Sequence, residues 1–338
     1  MINFNDIGSW HFVTELDAIE VTATSDVVVS INDAGGTSVI SGTYTPVDGV
    51  VHIYHLHKLL SPLITRVTAA FSITVGSTTK KVNVVQSHVA IDMTASKFLP
   101  SFFLSSVTSE RDTALGRKEL ITILPTETDL VAPTVTAYYF DGSKVVSATP
   151  SLSAALKTGT PSEIDVSPNN FVDDAKGTLV AYTVTCGKRS MQFRVSTLPT
   201  VKYALLARNN FGAWEPVYFQ GMSEESHDYT RETAYINGQL SLYHIDETCV
   251  IKSYTGPLRP AGIALARDLA RSREVVMLDN GKAADPVVVT EVDVKHSTAD
   301  DELADFSISW RRASIICPET AHYNTPKLFD TTFDDTYN

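Results

Sequence analysis

Apolar and polar residues alternate with a period of two along much of residues 1–92. The segments 19–23 and 71–75 each place Ile, Val, Phe or Ala at every second position, with polar residues between them. This alternation is typical of half-buried strands, and turn-forming residues separate the strands at a spacing of roughly ten residues. Regular short strands of this kind favour a β-sandwich. We therefore predict a β-sandwich domain over residues 1–92.

A second set of strand-like segments follows. Residues 120–124, 135–139 and 180–186 are rich in β-branched and aromatic residues. The pair Asp141-Gly142 is a strong hairpin signal because both residue types tolerate positive φ. We predict a second β-sandwich domain over residues 93–199, so that the chain begins with tandem Ig-like sandwiches.

Residues 200–325 differ from the two preceding domains in their sequence pattern, which has more aromatic residues and predicts longer strands and one amphipathic helix over residues 260–271. Ile263, Leu265 and Leu269 give this helix an apolar stripe. The predicted fold class is therefore mainly β, with two sandwiches followed by a β-rich domain that carries one helix. Residues 326–338 are predicted to form a C-terminal arm that docks on a neighbour, and a frayed tail is the alternative.

The most distinctive stretch is 203–221, which places an apolar strand, a polar turn with glycine and an aromatic strand in succession. None of its side chains is chemically reactive. A hairpin of this composition offers aromatic rings for packing, which favours assembly over catalysis. A carbohydrate-binding platform is the alternative for its tryptophan. The candidate assembly residues are the aromatic residues of this hairpin and of the C-terminal arm: Phe211, Trp214, Tyr218, Phe219, Phe329, Phe333 and Tyr337.

Composition narrows the possible partners and locations. The 338 residues include 43% hydrophobic and 20% charged residues, which is enough apolar material for packed cores. A net charge of −12 disfavours nucleic acid as a partner. The N-terminus lacks the basic and apolar regions of a signal peptide, and no apolar run is long enough to span a bilayer. Synthesis in the cytoplasm without membrane insertion is therefore expected.

No motif of known chemistry occurs in the sequence. The nucleophile elbow, the P-loop and the dinucleotide-binding glycine turn are all missing. The strongest candidate for a metal site is the histidine trio His52, His55 and His57. Because the three do not share one face of a helix or of a strand, an ordinary helix cap or a surface cluster is favoured. The three cysteines, Cys186, Cys249 and Cys317, have neither disulfide-framework nor zinc spacing. We expect no catalysis, no cofactor and no metal.

Several short motifs resemble tail-region structural proteins of phages and prophages of Bacteroidetes. In that group a strand ending in Asn-x-Phe/Leu-Gly-Gly/Ala-Trp precedes an aromatic strand, as in 209–214 here. Ala213 stands where a second glycine is common. The helix and strands of the last domain also look like the tail-tube-like domain of distal tail proteins. The further segments that carry the resemblance are 164–168, 182–189, 224–227, 269–281 and 303–310.

The resemblance implies a virion structural protein of a phage tail, baseplate or related ring, located in the virion and made in the host cytoplasm. Its partners would be copies of itself in a homo-oligomeric ring and other virion proteins. The alternative function is that of an adhesin or a carbohydrate-binding, receptor-binding β-sandwich protein, for which a glycan is the partner. Exposed aromatic side chains would serve either function.

The histidine spacing yields the first testable prediction. If no metal stabilises the fold, melting temperatures measured by circular dichroism should coincide with and without EDTA. A structural metal contributes folding free energy directly, so a drop of many degrees in EDTA would contradict the prediction.

Overall fold

The computed structural model describes residues 2–126, 131–197, 201–295 and 305–313. Within these ranges the chain is mainly β, with five sheets and three α-helices. Two β-sandwiches are followed by a seven-stranded sheet that carries the longest helix. The predicted fold class is confirmed.

Eight strands build the first sandwich. They are β1 (Ile2–Asn3), β2 (Trp10–Phe12), β3 (Ala18–Thr22), β4 (Val27–Asp33), β5 (Ser38–Tyr44), β6 (Val50–Tyr54), β7 (Thr68–Val75) and β8 (Thr78–Val85). One sheet has the order β1-β3-β6 and the other β2-β8-β7-β4-β5. β1 pairs with β3 and β2 with β8 in parallel, whereas the other pairs are antiparallel. The N-terminal segment therefore adds an edge strand to each sheet.

The alternation in sequence decides which face of each strand is buried. On β7, Phe71 and Ile73 are buried, while Ser72 and Thr74, which alternate with them, are half-buried. Gly76 makes the turn from β7 into β8 with a φ of 58°, which a residue without a Cβ adopts at little cost. A short helix, α1 (Leu56–Leu60), lies between β6 and β7 in the chain, and its Leu56 and Leu60 are buried in the core of the sandwich.

The second sandwich repeats this arrangement. After α2 (Ala95–Phe98), its strands are β9 (Glu110–Thr113), β10 (Leu120–Ile123), β11 (Thr134–Phe140), β12 (Val145–Ala148), β13 (Ser162–Asp165), β14 (Thr178–Cys186) and β15 (Arg189–Val195). The pair β10-β13 faces the sheet β12-β11-β14-β15-β9. As β2 does with β8 in the first sandwich, the short strand β9 pairs in parallel with the last strand, β15. The predicted hairpin at Asp141-Gly142 joins β11 to β12, and Gly142 has a φ of 98°.

The third unit is a single twisted sheet with a helix. Its elements are β16 (Ala204–Arg208), β17 (Trp214–Tyr218), β18 (Ser223–Ile236), β19 (Gln239–Tyr254), α3 (Pro260–Arg271), β20 (Val275–Asp279), β21 (Lys282–Lys295) and β22 (Asp305–Arg312). The strand order is β17-β16-β20-β21-β22-β19-β18. Helix α3 has the predicted bounds. Its Leu269 is buried as expected, whereas Ile263 and Leu265 are only half-buried.

Each unit has an apolar core of its own. Ile31, Phe193 and Trp310 are among the fully buried side chains of the first, second and third cores. A fourth apolar cluster draws residues from all three units. This fourth cluster contains the turn that the sequence singled out, and it positions the candidate site. Residues 326–338, the predicted arm, lie outside the described residues.

Candidate functional site

The turn between β16 and β17 is held by a buried asparagine. Asn209 is 1% exposed, and its side-chain Oδ1 accepts hydrogen bonds from the backbone N–H groups of Phe211 (2.9 Å) and Ala213 (3.0 Å). Its Nδ2 donates to the carbonyl of Leu104 at 2.8 Å. One side chain thus satisfies two buried N–H groups of the turn and ties it to the second sandwich.

Asn210 joins the same turn to the segment that follows the first sandwich. Its Oδ1 accepts from the backbone N–H groups of His88 (2.8 Å) and Val89 (2.7 Å). Its own backbone N–H donates to Oδ2 of Asp268 on helix α3, at 3.2 Å. Since Asp268 also accepts from Ser106 Oγ at 2.5 Å, the turn, the helix and the second sandwich meet at one carboxylate.

Phe211 fills the apolar side of this meeting point. Its ring centroid lies 5.6 Å from that of Phe12 on β2 and 5.1 Å from that of Phe98 on α2. We call the surrounding set the junction cluster. Its buried members come from the first sandwich, the segment around α2, the second sandwich and the turn: Phe12, Val67, Val85, Ala95, Phe98, Leu99, Leu104, Leu124, Phe211 and Ala213.

Gly212 allows the turn to approach the first sandwich closely. Its φ is 73°, and a Cβ placed on it would lie 2.6 Å from the carbonyl oxygen of Arg66. Both the conformation and the space require glycine. Ala213, where the resembling proteins commonly have a second glycine, has an ordinary φ and is buried in the junction cluster.

The other aromatic candidates of the hairpin also have partners within the chain. Phe219 is 1% exposed in the third core. The Tyr218 hydroxyl donates to the Lys118 carbonyl at 2.8 Å, and the Arg117 guanidinium lies 4.6 Å from the ring centroid. Burial raises the pKa of Tyr218. The rings of Phe211 and Phe219 therefore pack inside the chain, and Tyr218 links the third unit to the second sandwich.

Trp214 is half-buried, and one ring face is covered by the Arg208 guanidinium, 3.8 Å from the ring centroid. Arg208 is held there by Glu274, whose Oε2 lies 3.0 Å from its Nε. A carbohydrate platform needs an open aromatic face, so this cation–π contact competes with that use of Trp214. Phe329, Phe333 and Tyr337 lie outside the described residues.

The longest exposed feature is the hairpin formed by β18 and β19. Within the part of the chain that the structure describes, only Ile251–Tyr254 of β19 pair with β22. Beyond them the two strands of the hairpin pair only with each other, from Ser226 to its tip, over roughly 36 Å. Asn237 and Gly238 have φ values of 52° and 80°, which suit the tight turn at its tip. This hairpin was not predicted, although the pair Asn237-Gly238 between β-type segments is a hairpin signal in the sequence.

The pairing register places most of the large apolar side chains of this hairpin on one face, which also carries Arg231 opposite Ile245 and Glu247 opposite Tyr229, and it makes the other face mostly polar. Tyr235 stands opposite Leu240, and the pair Thr233–Leu242 follows on the same face. Tyr235 is 78% and Leu240 61% exposed. The polar face carries cross-strand pairs of charged and hydroxyl residues, namely Asp228–Thr248, Thr230–Asp246 and Glu232–His244. The apolar face, defined by Tyr229, Tyr235, Leu240, Leu242 and Ile245, belongs to none of the four buried clusters.

The histidine trio is spread over β6 and the start of α1. His57 Nδ1 lies 2.5 Å from Asp17 Oδ1, His55 lies 3.8 Å from the same oxygen, and His52 lies 3.6 Å from Glu20. In the described part of the chain no group of His, Cys, Asp and Glu is arranged to hold a metal ion. Cys186 is buried in the second core, and Cys249 is half-buried on β19.

Similarity to known proteins was found among solved structures. Neither a protein-family model nor a curated protein matches the chain. One solved structure, from the virion of a native gene transfer agent particle, is 14% identical, with a TM-score of 0.24 over 34% of this chain and 95% of that chain. A second, from the tail of an empty gene transfer agent particle with C6 symmetry, is 11% identical, with a TM-score of 0.24 over 33% and 91%. At such low TM-scores these similarities carry no argument about this chain.

Among the described residues, no helix has the length and apolar character needed to cross a membrane.

The close approach at Gly212 predicts a specific loss of stability. Gly212→Ala should cost about 3 kcal/mol or more, because it combines an unfavourable φ with a clash against backbone. Gly281→Ala is the matched control, since Gly281 has a φ of 74° with no atom within 4 Å. The control should cost only about 1–2 kcal/mol. Urea unfolding of both variants measures the difference, and equal losses would show that the contact with Arg66 is unimportant.

Asp268 predicts a pH-dependent difference in stability. Burial raises its pKa from 3.8 to about 6. The folded state therefore binds this proton more tightly than the unfolded state, and the resulting stability is present below pH 4 and lost as the pH rises through about 6. Asp268→Asn removes this dependence. Between pH 4 and pH 7 the free energy of unfolding of the parent should fall relative to the variant by about 3 kcal/mol at most. A difference that stays constant over this range would contradict the prediction.

Proposed function

We propose that this chain is a structural subunit of a phage-type virion, in the tail, the baseplate or a related ring, and that it acts by assembly without catalysis. The observation that carries the proposal is the β18–β19 hairpin. Its apolar face is exposed, and it extends away from the sheet that it belongs to. Apolar faces of this kind mark interaction surfaces when other parts of the molecule leave them uncovered.

A second copy of the chain is the partner that we infer for this hairpin. β18 is the last strand of the seven-stranded sheet, so along its 14 residues one edge of N–H and C=O groups has no neighbouring strand in the described chain. Such an edge can accept a strand from another molecule, while the apolar face packs against its surface. If the hairpin of one copy binds a different surface of the next copy, the contact is head-to-tail. Such contacts close into a ring when the rotation between subunits allows it.

By analogy with phage tails, we infer a ring of six subunits or of another multiple of three. The sequence resemblance in 209–214 and in the later blocks supports a place in the tail region. In both sandwiches a short edge strand pairs in parallel with the last strand, β2 with β8 and β9 with β15, and this also supports their assignment as Ig-like domains. Neighbouring virion proteins are the further partners that this function requires.

Single substitutions on opposite faces of the hairpin test the proposal. Leu242→Asp places a charge on the apolar face, and it should shift the protein to monomers because burying an unpaired charge in an interface is costly. Its melting temperature should change little, since Leu242 is 48% exposed. The measurements are light scattering and negative-stain imaging over a range of concentrations.

Ser241→Asp is the matched control for Leu242→Asp. It adds the same charge at the neighbouring position, on the polar face of the hairpin. This variant should assemble like the parent. A parent that remains monomeric at high concentration, or two variants that assemble equally well, would contradict self-assembly through the apolar face.

A further inference from the structure

A cavity of about 550 Å³ lies between the second sandwich and the third unit. Strands β9, β15 and β17 and the beginning of helix α3 form its walls. Four arginines line it, namely Arg111, Arg117, Arg194 and Arg259. In a chain with a net charge of −12, this is a local concentration of positive charge that calls for an explanation.

Arg111 is the most deeply buried of the four, at 3% exposure. Its Nη2 donates to Ser105 Oγ at 2.6 Å and to Glu215 Oε1, which ties β9 to β17. Among the described residues, its Nε and Nη1 have no hydrogen-bond acceptor, and the same holds for Nη2 of Arg117. A buried guanidinium with unused donors is costly unless an acceptor reaches it.

The N-terminus of helix α3 borders the same cavity. Ala261 and Gly262, in the first turn of this 12-residue helix, line the cavity. The preceding residue, Arg259, makes no capping hydrogen bond with its side chain. The first N–H groups of a helix have no intrahelical acceptor and carry partial positive charge, so they favour an anion.

The carboxylates already present do not cancel this charge. Asp112 lies 3.3 Å from Arg194 Nε and 3.4 Å from Arg259 Nη1, while Glu110 pairs with Arg194 at 2.9 Å beside the cavity. Glu119 lies 3.9 Å from Arg111 Nη1, and burial raises its pKa to about 7, so much of it is uncharged near neutral pH. Since Glu215 pairs with Arg111, three charged carboxylates, Glu110, Asp112 and Glu215, stand against the four arginines, so about one positive charge and the helix end remain available to a further anion.

We propose that this cavity is a carboxylate-binding site and that its occupant is the acidic segment 326–338 of this chain. Arginine forks pair with carboxylates in two-pronged geometry, and the segment offers Asp330, Asp334 and Asp335 between its aromatic residues. Residues 314–325 connect it to the last described strand and can span up to about 40 Å. The site does not depend on the proposed virion function, because it would hold the segment in a monomer as well as between subunits.

Binding of a fluorescent peptide tests the site in the full-length protein. The receptor is the full-length chain with Asp330, Asp334 and Asp335 changed to Asn, so that its own segment no longer competes. The probe is a labelled peptide with the native sequence of residues 326–338, followed by fluorescence anisotropy. Saturable binding is expected, and the native chain should bind the probe more weakly because its own segment occupies the cavity.

Two further substitutions in this receptor locate the binding. Arg259→Gln removes a cavity arginine whose side chain is 62% exposed and makes no helix cap, and it should weaken binding about tenfold. Arg66→Gln removes an exposed arginine in the first sandwich and should leave the affinity unchanged. A peptide with Asn at the three aspartates should also bind at least about tenfold more weakly.

Three results would overturn the proposal: no saturable binding to the receptor, equal affinities for the Arg259→Gln and Arg66→Gln variants, or equal affinities for the native and Asn peptides. Leu242→Asp in the same receptor should leave peptide binding unchanged. The peptide experiment therefore fails or succeeds separately from the test of assembly through the hairpin.

Discussion

The burial of one polar turn against a phenylalanine cluster is the constraint on which the arrangement of the three units depends. A buried loop must find an acceptor or donor for each of its backbone groups. The Asn209 side chain accepts from the N–H groups of Phe211 and Ala213, its carbonyl accepts from that of Gly212, and Asp268 on helix α3 accepts from that of Asn210. Since these N–H groups have acceptors, Phe211 can enter the junction cluster, and apolar contact between the units becomes favourable.

Charge reinforces the same connection at a second place. Arg111 and Glu215 join β9 to β17 from positions 104 residues apart, and Tyr218 hydrogen-bonds the backbone at Lys118 close by. Removing one partner of such a buried pair leaves an uncompensated charge, which costs more than the pair itself contributes. The pair therefore favours this one arrangement of the second sandwich and the third unit over others that would separate the two charges.

Much of the fold could be predicted from local pattern. The strands around Phe71 and Ile73 and the helix 260–271 follow from hydrophobic periodicity, which is a property of neighbouring residues. The β18–β19 hairpin was not predicted because residues 223–236 are mostly polar. A strand with both faces exposed lacks the alternation of apolar and polar residues that identifies a half-buried strand. The repeated parallel pairing of an N-terminal edge strand with the last strand, β2 with β8 and β9 with β15, depends on contacts between distant segments and has no local signal.

The candidate site, too, could be predicted from the sequence only in part. The sequence identifies 209–214 as unusual, since glycine, tryptophan and two asparagines in one turn suggest a constrained conformation. It does not reveal whether Phe211 packs within the chain or against another molecule, because both give the same apolar residue. Position in the fold decides this: Phe211 faces Phe12 and Phe98, whereas Tyr235 and Leu240, of similar hydrophobicity, face outward.

A net charge of −12 makes copies of this chain repel each other at long range, but screening at physiological salt confines that repulsion to about 8 Å. Short-range apolar contact on the hairpin can therefore prevail once two copies meet, and assembly through it should be favoured by salt.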